Sequence, residues 1–205
     1  MRRTLLFSGF ALVLLMSLLS ARLVSDGYKV GDVIQDFKLK NVDGKTVSLA
    51  DKPAKVYIIA FTCNTCPVAK AYENRIIALN EQFAPKGYPV VAIQSNDAEQ
   101  SPGDSYGAMQ QRASNRKYAF PYLHDETQAV ARAFGATNTP HLFVVQRQGD
   151  QYRVAYIGAI DNSQRDAAGA TRKYVEEAVN ELLAGKPVTT TSAKAIGCGI
   201  KWKDA

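Results

Sequence analysis

The chain has 205 residues, 46% of them hydrophobic and 21% charged, with a formal charge of +6. That composition excludes a disordered, collagenous or multi-span membrane protein, and the length is enough for a core that needs no disulfide scaffold. Arg2, Arg3 and Arg22 flank an apolar N-terminal run and no acid precedes Asp26, so the charge from Asp26 onward is only 22 − 19 = +3. With no basic stripe interleaved with aromatics, a nucleic-acid partner is not expected.

Met1-Arg2-Arg3 is followed by uncharged residues 4–21, rich in Leu with Phe7, Phe10, Val13 and Met16. A short basic stretch before an apolar one is the pattern of a secretory signal. Ala21 fits the −1 position of a cleavage site, but Leu19 fills the −3 position where a small residue is preferred. Removal as a signal and retention as a membrane anchor both stay open. No Cys follows the run, so lipid attachment there is not supported. Positive charge in front keeps the N-terminus cytoplasmic and places the following domain outside, in the periplasm or another extracytoplasmic space. The membrane enters only through residues 1–25. Residues 26–187 then read as one α/β domain and 188–205 as a C-terminal tail.

Along the domain, residues 26–51 read as a small β unit with a turn at Asp43-Gly44. Residues 55–61 are a nearly continuous apolar run, which suits a strand buried on both faces in a sheet centre. Residues 67–83 have helical spacing, with Val68, Ala71, Tyr72, Ile76, Leu79 and Phe83 on one face, and residues 88–94 form another buried strand. Residues 95–104 are polar, carry Pro102-Gly103 and are expected to be an exposed loop. A helix is expected over 106–118 and a short extended piece over 120–123. A further helix over 127–134 has Asp125 as N-cap and Gly135 as stop. Strands at 141–146 and 151–157 turn through Gln148-Gly149-Asp150, and a last helix covers about 164–183, its apolar stripe formed by Val175, Ala178, Val179, Leu182 and Leu183. The predicted order after the N-terminal unit is β, α, β, α, α, β, β, α on one sheet.

The three cysteines are Cys63, Cys66 and Cys198. Cys63-Asn64-Thr65-Cys66 follows the buried strand and opens the next helix. A helix N-terminus carries unpaired N–H groups and partial positive charge, so a thiolate there is stabilised and a cysteine pKa drops from about 8.5 toward neutrality. Pro67 sits where a missing N–H costs nothing. In dithiol exchange Cys63 is the exposed nucleophile and Cys66 the more buried resolver. A structural disulfide and half of a zinc site are the alternatives; zinc would need further ligands from Cys198, His124 and His141. Thr139-Pro140, after a helix stop and before a strand, is a candidate cis peptide that lays the Thr139 backbone beside the cysteines to position an extended substrate.

Several stretches carry a family resemblance. They are Asp36-Phe37, the turn Val42-Asp43-Gly44-Lys45-Thr46, Cys63-Asn64-Thr65-Cys66-Pro67, Ser95-Asn96-Asp97 and Phe120-Pro121-Tyr122-Leu123. Gly135-Ala136 with Thr139-Pro140, Tyr156-Ile157-Gly158 with Ile160-Asp161, and the closing Gly197-Cys198-Gly199-Ile200-Lys201-Trp202-Lys203 complete the set. Over residues 28–203 the chain resembles the thioredoxin-like redoxins of the peroxiredoxin/thiol-specific-antioxidant (AhpC/TSA) superfamily, within it the peroxiredoxin-like group that carries a CxxC. The resemblance implies an α/β thioredoxin fold, a mixed sheet flanked by helices. It also implies antioxidant-type thiol redox activity without an organic cofactor or metal. Cys66 then takes the position of a peroxidatic cysteine and Cys63 that of the Thr which orients peroxide.

Three activities are carried forward. The first is thiol–disulfide exchange through Cys63 and Cys66, with a thiol or disulfide protein substrate and a dithiol electron donor. The second is a thiol peroxidase in which Cys66 attacks a hydroperoxide and Cys63 resolves the sulfenic acid. The third is a copper-handling thioredoxin-fold protein, since soft thiolates take Cu(I). Cys198 becomes a second resolving thiol if the tail folds back, and Trp202 is expected to anchor that tail. Asn96 and Asp97, at the C-terminal end of a strand, are candidates for the site rim. His141, next to Pro140, is an accessory candidate ahead of His124. Glu73 and Lys70 are expected on a solvated helix face.

Overall fold

The structure is a computed structural model that describes residues 27–51 and 53–203. The signal or anchor read over residues 1–25 lies outside the described residues. Among those described, no helix is long and apolar enough to cross a membrane.

The centre of the molecule is β4 (Val56–Phe61), whose six residues are all buried. Its period of two sends alternate side chains to opposite faces. Val56, Ile58 and Ala60 face one core, Tyr57, Ile59 and Phe61 the other. That division is why the run reads as uniformly apolar. On one flank β4 pairs in parallel with β5 (Val90–Gln94), and β5 pairs in parallel with β6 (Tyr122–His124). On the other flank β8 (His141–Gln148) and β9 (Gln151–Gly158) follow in antiparallel order. The N-terminal unit divides between the two edges. The hairpin of β2 (Lys38–Asn41) and β3 (Thr46–Ser48) extends the β6 edge. β1 (Val33–Ile34) lies on β9, which β10 (Ser192–Ala193) also joins at its far end.

Three helices cover the first face: α1 (Pro67–Phe83), α2 (Tyr106–Asn115) and α4 (Tyr174–Leu183). Tyr72, Ile76, Phe83, Met109 and Val179 pack there against Ile58 and Tyr122. The opposite face holds α3 (Ala129–Phe134) and the aromatic cluster of Phe61, Phe134 and Phe143, with ring centroids 5.1–5.7 Å apart. Each buried Phe contributes about 1.5–3 kcal/mol of transfer free energy. This mixed sheet with helices on both faces is the arrangement that the resemblance implies.

Four expectations change. The extended piece at 120–123 shifts forward and becomes β6, a full member of the sheet. Pro121 stays just outside it, lacking a donor, yet its carbonyl accepts from Ala92 N at 2.9 Å. The last helix starts at Tyr174 rather than near 164. Ahead of it, Asn162 closes a loop by accepting from the N–H groups of Thr171 and Arg172, both at 3.1 Å. The loop at 95–104 is half buried: Glu99, Gln100, Pro102 and Gly103 are exposed as expected, but Ser95, Asn96, Asp97, Ser101 and Asp104 are enclosed, their side chains satisfying one another and the cysteine loop. Finally, the tail adds a second, two-stranded pairing of β7 (Asn138–Thr139) with β11 (Cys198–Gly199).

Candidate active site

Strand β4 ends at Phe61 and α1 begins at Pro67, so Cys63 and Cys66 lie on the tip between them. Cys66 is the N-cap of α1, and its sulfur accepts from Ala69 N at 3.4 Å. The two residues between the cysteines are fixed from below by Asp104, which has no solvent exposure. Its Oδ1 accepts from Asn64 N at 2.6 Å and Thr65 N at 3.1 Å, and its Oδ2 from Thr65 Oγ1 at 2.6 Å. Ser101 Oγ and Asn96 Nδ2 donate to the same Oδ2 at 2.7 and 2.8 Å. Tyr122, wholly buried, donates to Asn64 Oδ1 at 3.0 Å. Burial first, then the nearby charges of Tyr118, Cys63 and Asp104, push its phenol well above the ordinary value, so it remains a donor.

Thr139-Pro140 is a cis peptide, as expected. Thr139 touches both sulfurs: its Oγ1 lies 3.2 Å from Cys63 Sγ and its carbonyl oxygen 3.3 Å from Cys66 Sγ. The tail folds back, and here the structure corrects the pairing expected for the CxxC. The disulfide joins Cys66 to Cys198, with 5.9 Å between Cα atoms, and Cys63 is the free thiol. Nor is Cys63 an exposed nucleophile in this form. Cys63 and Cys66 are 6% and 3% exposed, packed in one cluster with Ala69 against Cys198. The tail closes over Cys66 through the bond to Cys198, while Cys63 lies against Thr139.

Asn96 does not reach the thiols. It bridges Asp104 to the tail, accepting from Lys201 N at 2.9 Å, while Asp97 N donates to Lys201 O at 2.8 Å. Gln128 adds a donor to Lys201 O at 2.7 Å and an acceptor for Lys203 N at 2.8 Å. Trp202 anchors the tail as expected, with the Arg132 guanidinium 4.5 Å from its ring centroid. His141 lies on the α3 side of the sheet, 4.8 Å from the Phe143 ring, with its Nδ1 buried and unpartnered. Burial lowers its pKa to about 4, so it is neutral at physiological pH. Glu73 is not on a solvated face. It is buried behind Cys63 and bound by Arg112 at 2.7 Å, Arg116 at 2.8 Å and Tyr118 at 2.6 Å. Burial alone would raise the Glu73 pKa, but the hydrogen bonds from Arg112 and Tyr118 and the two guanidinium charges outweigh it and hold the carboxylate low. Lys70 is exposed, as expected.

Sequence reasoning missed Asp104, Gln128 and the burial of Glu73. One signal was present for Asp104: a dense Ser, Asn and Asp series directly after the C-terminal end of a buried strand, where sites of α/β sheets gather. Among the described residues no group of three or more His, Cys, Asp or Glu is placed to hold a metal ion.

The profile of the AhpC/TSA family matches residues 30–156. The chain belongs to the AhpC/TSA family. AhpC/TSA proteins are redox enzymes, and the thioredoxin-like architecture of this member recurs in solved structures. One is an uncharacterised conserved protein from Geobacillus kaustophilus, 38% identical, with a TM-score of 0.81 over 88% of this chain and 96% of that one. Another is a hypothetical protein from Sinorhizobium meliloti, 31% identical, with a TM-score of 0.80 over 87% of this chain and 97% of that one. The chain is also similar to the thiol-disulfide oxidoreductase ResA of Oceanobacillus iheyensis, 26% identical over 127 residues, or 60% of this chain. That match spans 62% of the length of ResA.

Proposed function

We propose that this AhpC/TSA member is an exported thiol–disulfide oxidoreductase that works through Cys63 and Cys66, with residues 1–25 as export signal or anchor, 26–187 as the redoxin domain and 188–205 as its tail. The observation that carries this reading is the placement of both sulfurs at the tip of α1 against one residue, Thr139, with a disulfide already formed on Cys66. In the reducing direction the Cys63 thiolate attacks a substrate disulfide and forms a mixed disulfide, releasing one substrate thiolate. Cys66 then attacks Cys63 Sγ, releases the second and closes the Cys63–Cys66 bond. A dithiol donor returns two electrons and two protons. Thr139 and Pro140 position the substrate chain. The antioxidant role is the same chemistry applied to oxidised thiols. In a dithiothreitol-driven insulin reduction assay, Cys63→Ser and Cys66→Ser should each lower turnover about 100-fold or more. Turnover equal to wild type in either variant would overturn the assignment.

A second reading, the thiol peroxidase, is favoured by one observation: Cys66, not Cys63, carries the disulfide to the tail. Cys66 thiolate would take the terminal oxygen of a hydroperoxide, releasing an alcohol, and the sulfenic acid would condense with a thiol to expel water. Cys198, rather than Cys63, is then the resolving partner. Against it, Arg112 and Arg116 are bound to Glu73 and Arg75 is bound to Asp161. Hydrogen peroxide consumption that survives Cys63→Ser but not Cys66→Ser would establish this reading in place of the first.

A further inference from the structure

We infer that Cys198 is a third reacting thiol and that residues 194–199 form a strap over the active site, latched by the Cys66–Cys198 bond and released when Cys63 takes Cys66 from it. The inference rests on the exchange reading of Cys63 and Cys66 and adds a step to it.

The strap is pinned at both ends and weakly held between. On its N-terminal side β10 pairs with β9, and Ala159 N donates to Ala193 O at 3.3 Å. On its C-terminal side Ile200 is buried and Lys201 is held by Asn96, Asp97 and Gln128. Between these anchors β11 runs antiparallel to β7, with Cys198 opposite Thr139. Asn138 Nδ2 donates to Gly197 O at 3.2 Å, and Gly197 lies so close on the Thr139-Pro140 peptide that a Cβ would enter the Thr139 carbonyl. Ile196 is 50% exposed and Gly199 is exposed, so few apolar contacts hold this span. Beside it lies a cavity of about 190 Å³ bordered by Tyr72, Pro140, Tyr174, Lys194 and Ile196, room into which the strap can shift.

The consequence is geometric. The edge of Thr139, where an extended substrate would add as a strand, is occupied by the chain's own cysteine-bearing strand. Cys63 is itself buried, in the cluster against which Cys198 packs. Cys63, free and packed in the same cluster, supplies the release. It loses its proton and its Sγ bonds to Cys66 Sγ. The Cys66–Cys198 bond breaks, and the electron pair leaves on Cys198 Sγ, which takes a proton. One disulfide becomes another with no net oxidation. The disulfide now spans the CxxC, the strap is free to lift, and the edge opens to an extended, cysteine-containing segment of a partner protein. Because both ends stay pinned, Cys198 remains at high effective concentration and can return to relatch.

The test uses the full chain, oxidised in glutathione buffers of graded ratio, acid-trapped, mapped by mass spectrometry, and followed by hydrogen–deuterium exchange over residues 194–200. Wild type and Cys63→Ser should carry Cys66–Cys198, and Cys198→Ser should carry Cys63–Cys66. Strap amides in oxidised Cys198→Ser should exchange about tenfold faster than in oxidised wild type. Reduction by a protein dithiol, reduced thioredoxin, should be several-fold faster in Cys198→Ser. It should also be faster in Gly197→Ala, which lifts the strap with every thiol in place. Absence of Cys66–Cys198 at every ratio, equal strap protection in the two disulfide forms, or no acceleration in either variant overturns the inference. Mapping and exchange need no turnover, so a failed insulin assay with the expected maps would remove the exchange reading and leave the latch standing.

Discussion

His141 shows how one side chain can set the acid limit of this protein. Its ring is packed against Phe143 with Nδ1 unpartnered, and burial lowers its pKa from 6.5 to about 4. The unfolded chain therefore takes up a proton between pH 6.5 and pH 4 that the folded one refuses. Stability is fully present above about 6.5 and falls through that window by about 1.4 kcal/mol per pH unit. Burial shifts His124 in the same direction. Urea titrations at graded pH should show a shallower acid slope in His141→Phe, which keeps a ring against Phe143 and removes the buried, unpaired nitrogen; an unchanged slope would exonerate His141. Asp104 makes the complementary point. Its carboxylate holds the Asn64-Thr65 backbone through hydrogen bonds of 2.6 and 3.1 Å across 40 and 39 residues of sequence. The polar series after β5 hints at a site there, but only the fold shows that Asp104 is the residue that supports the cysteine loop.

Short elements here depend on side chains outside their own bounds. Helix α3 has six residues and starts after Gln128, which adopts a left-handed φ of 61° and makes no side-chain cap. Asp125 caps it instead, accepting from Ala131 N at 2.8 Å and Val130 N at 3.2 Å. The Asp125 N-cap was legible from sequence in kind, though the helix begins later than expected. Asp125→Ala should lower stability by about 1–2 kcal/mol, measured by urea unfolding. A loss within a few tenths would mean that the Gln128 geometry holds the helix start alone. Helix α1 is the contrary case, since its boundaries were readable at both ends. Pro67 opens it, and its apolar spacing runs to Phe83. Its polar members were not readable in the same way. Glu73 and Asn80 are buried because distant partners reach them: Arg112 and Tyr118 for the first, Val90 N for the second.

Across the whole molecule, the Cys66–Cys198 bond ties the tip of α1 to the tail over a sequence separation of 132 residues. Cross-linking so long a loop removes conformational freedom from the unfolded chain, which in the chain-entropy account stabilises the fold by about 3–5 kcal/mol. Denaturation of the oxidised and reduced protein should differ by that amount. A difference below about 1 kcal/mol would mean that the tail's hydrogen bonds and Trp202 hold it without the bond. The strand that carries Cys198 is thus tied to the fold twice, through its disulfide to Cys66 and through its pairing with Thr139.

Contiguous residues encode what neighbours in sequence can enforce: the two-faced apolar strand at 56–61, the helix behind Pro67, the turn at Gly44, the stop at Gly135, and a CxxC on a strand-to-helix tip. These rest on backbone preferences and on hydrophobic periods of 2 and 3.6, which act within a few residues. Which sulfur bonds to which, what lies under the cysteine loop, and whether the 95–104 loop faces water are set by groups brought together from 30 to more than 100 positions apart. Their proximity is fixed by sheet order and by the path of the tail. A cysteine 132 residues downstream becomes the partner of Cys66 only once β11 lies beside Thr139.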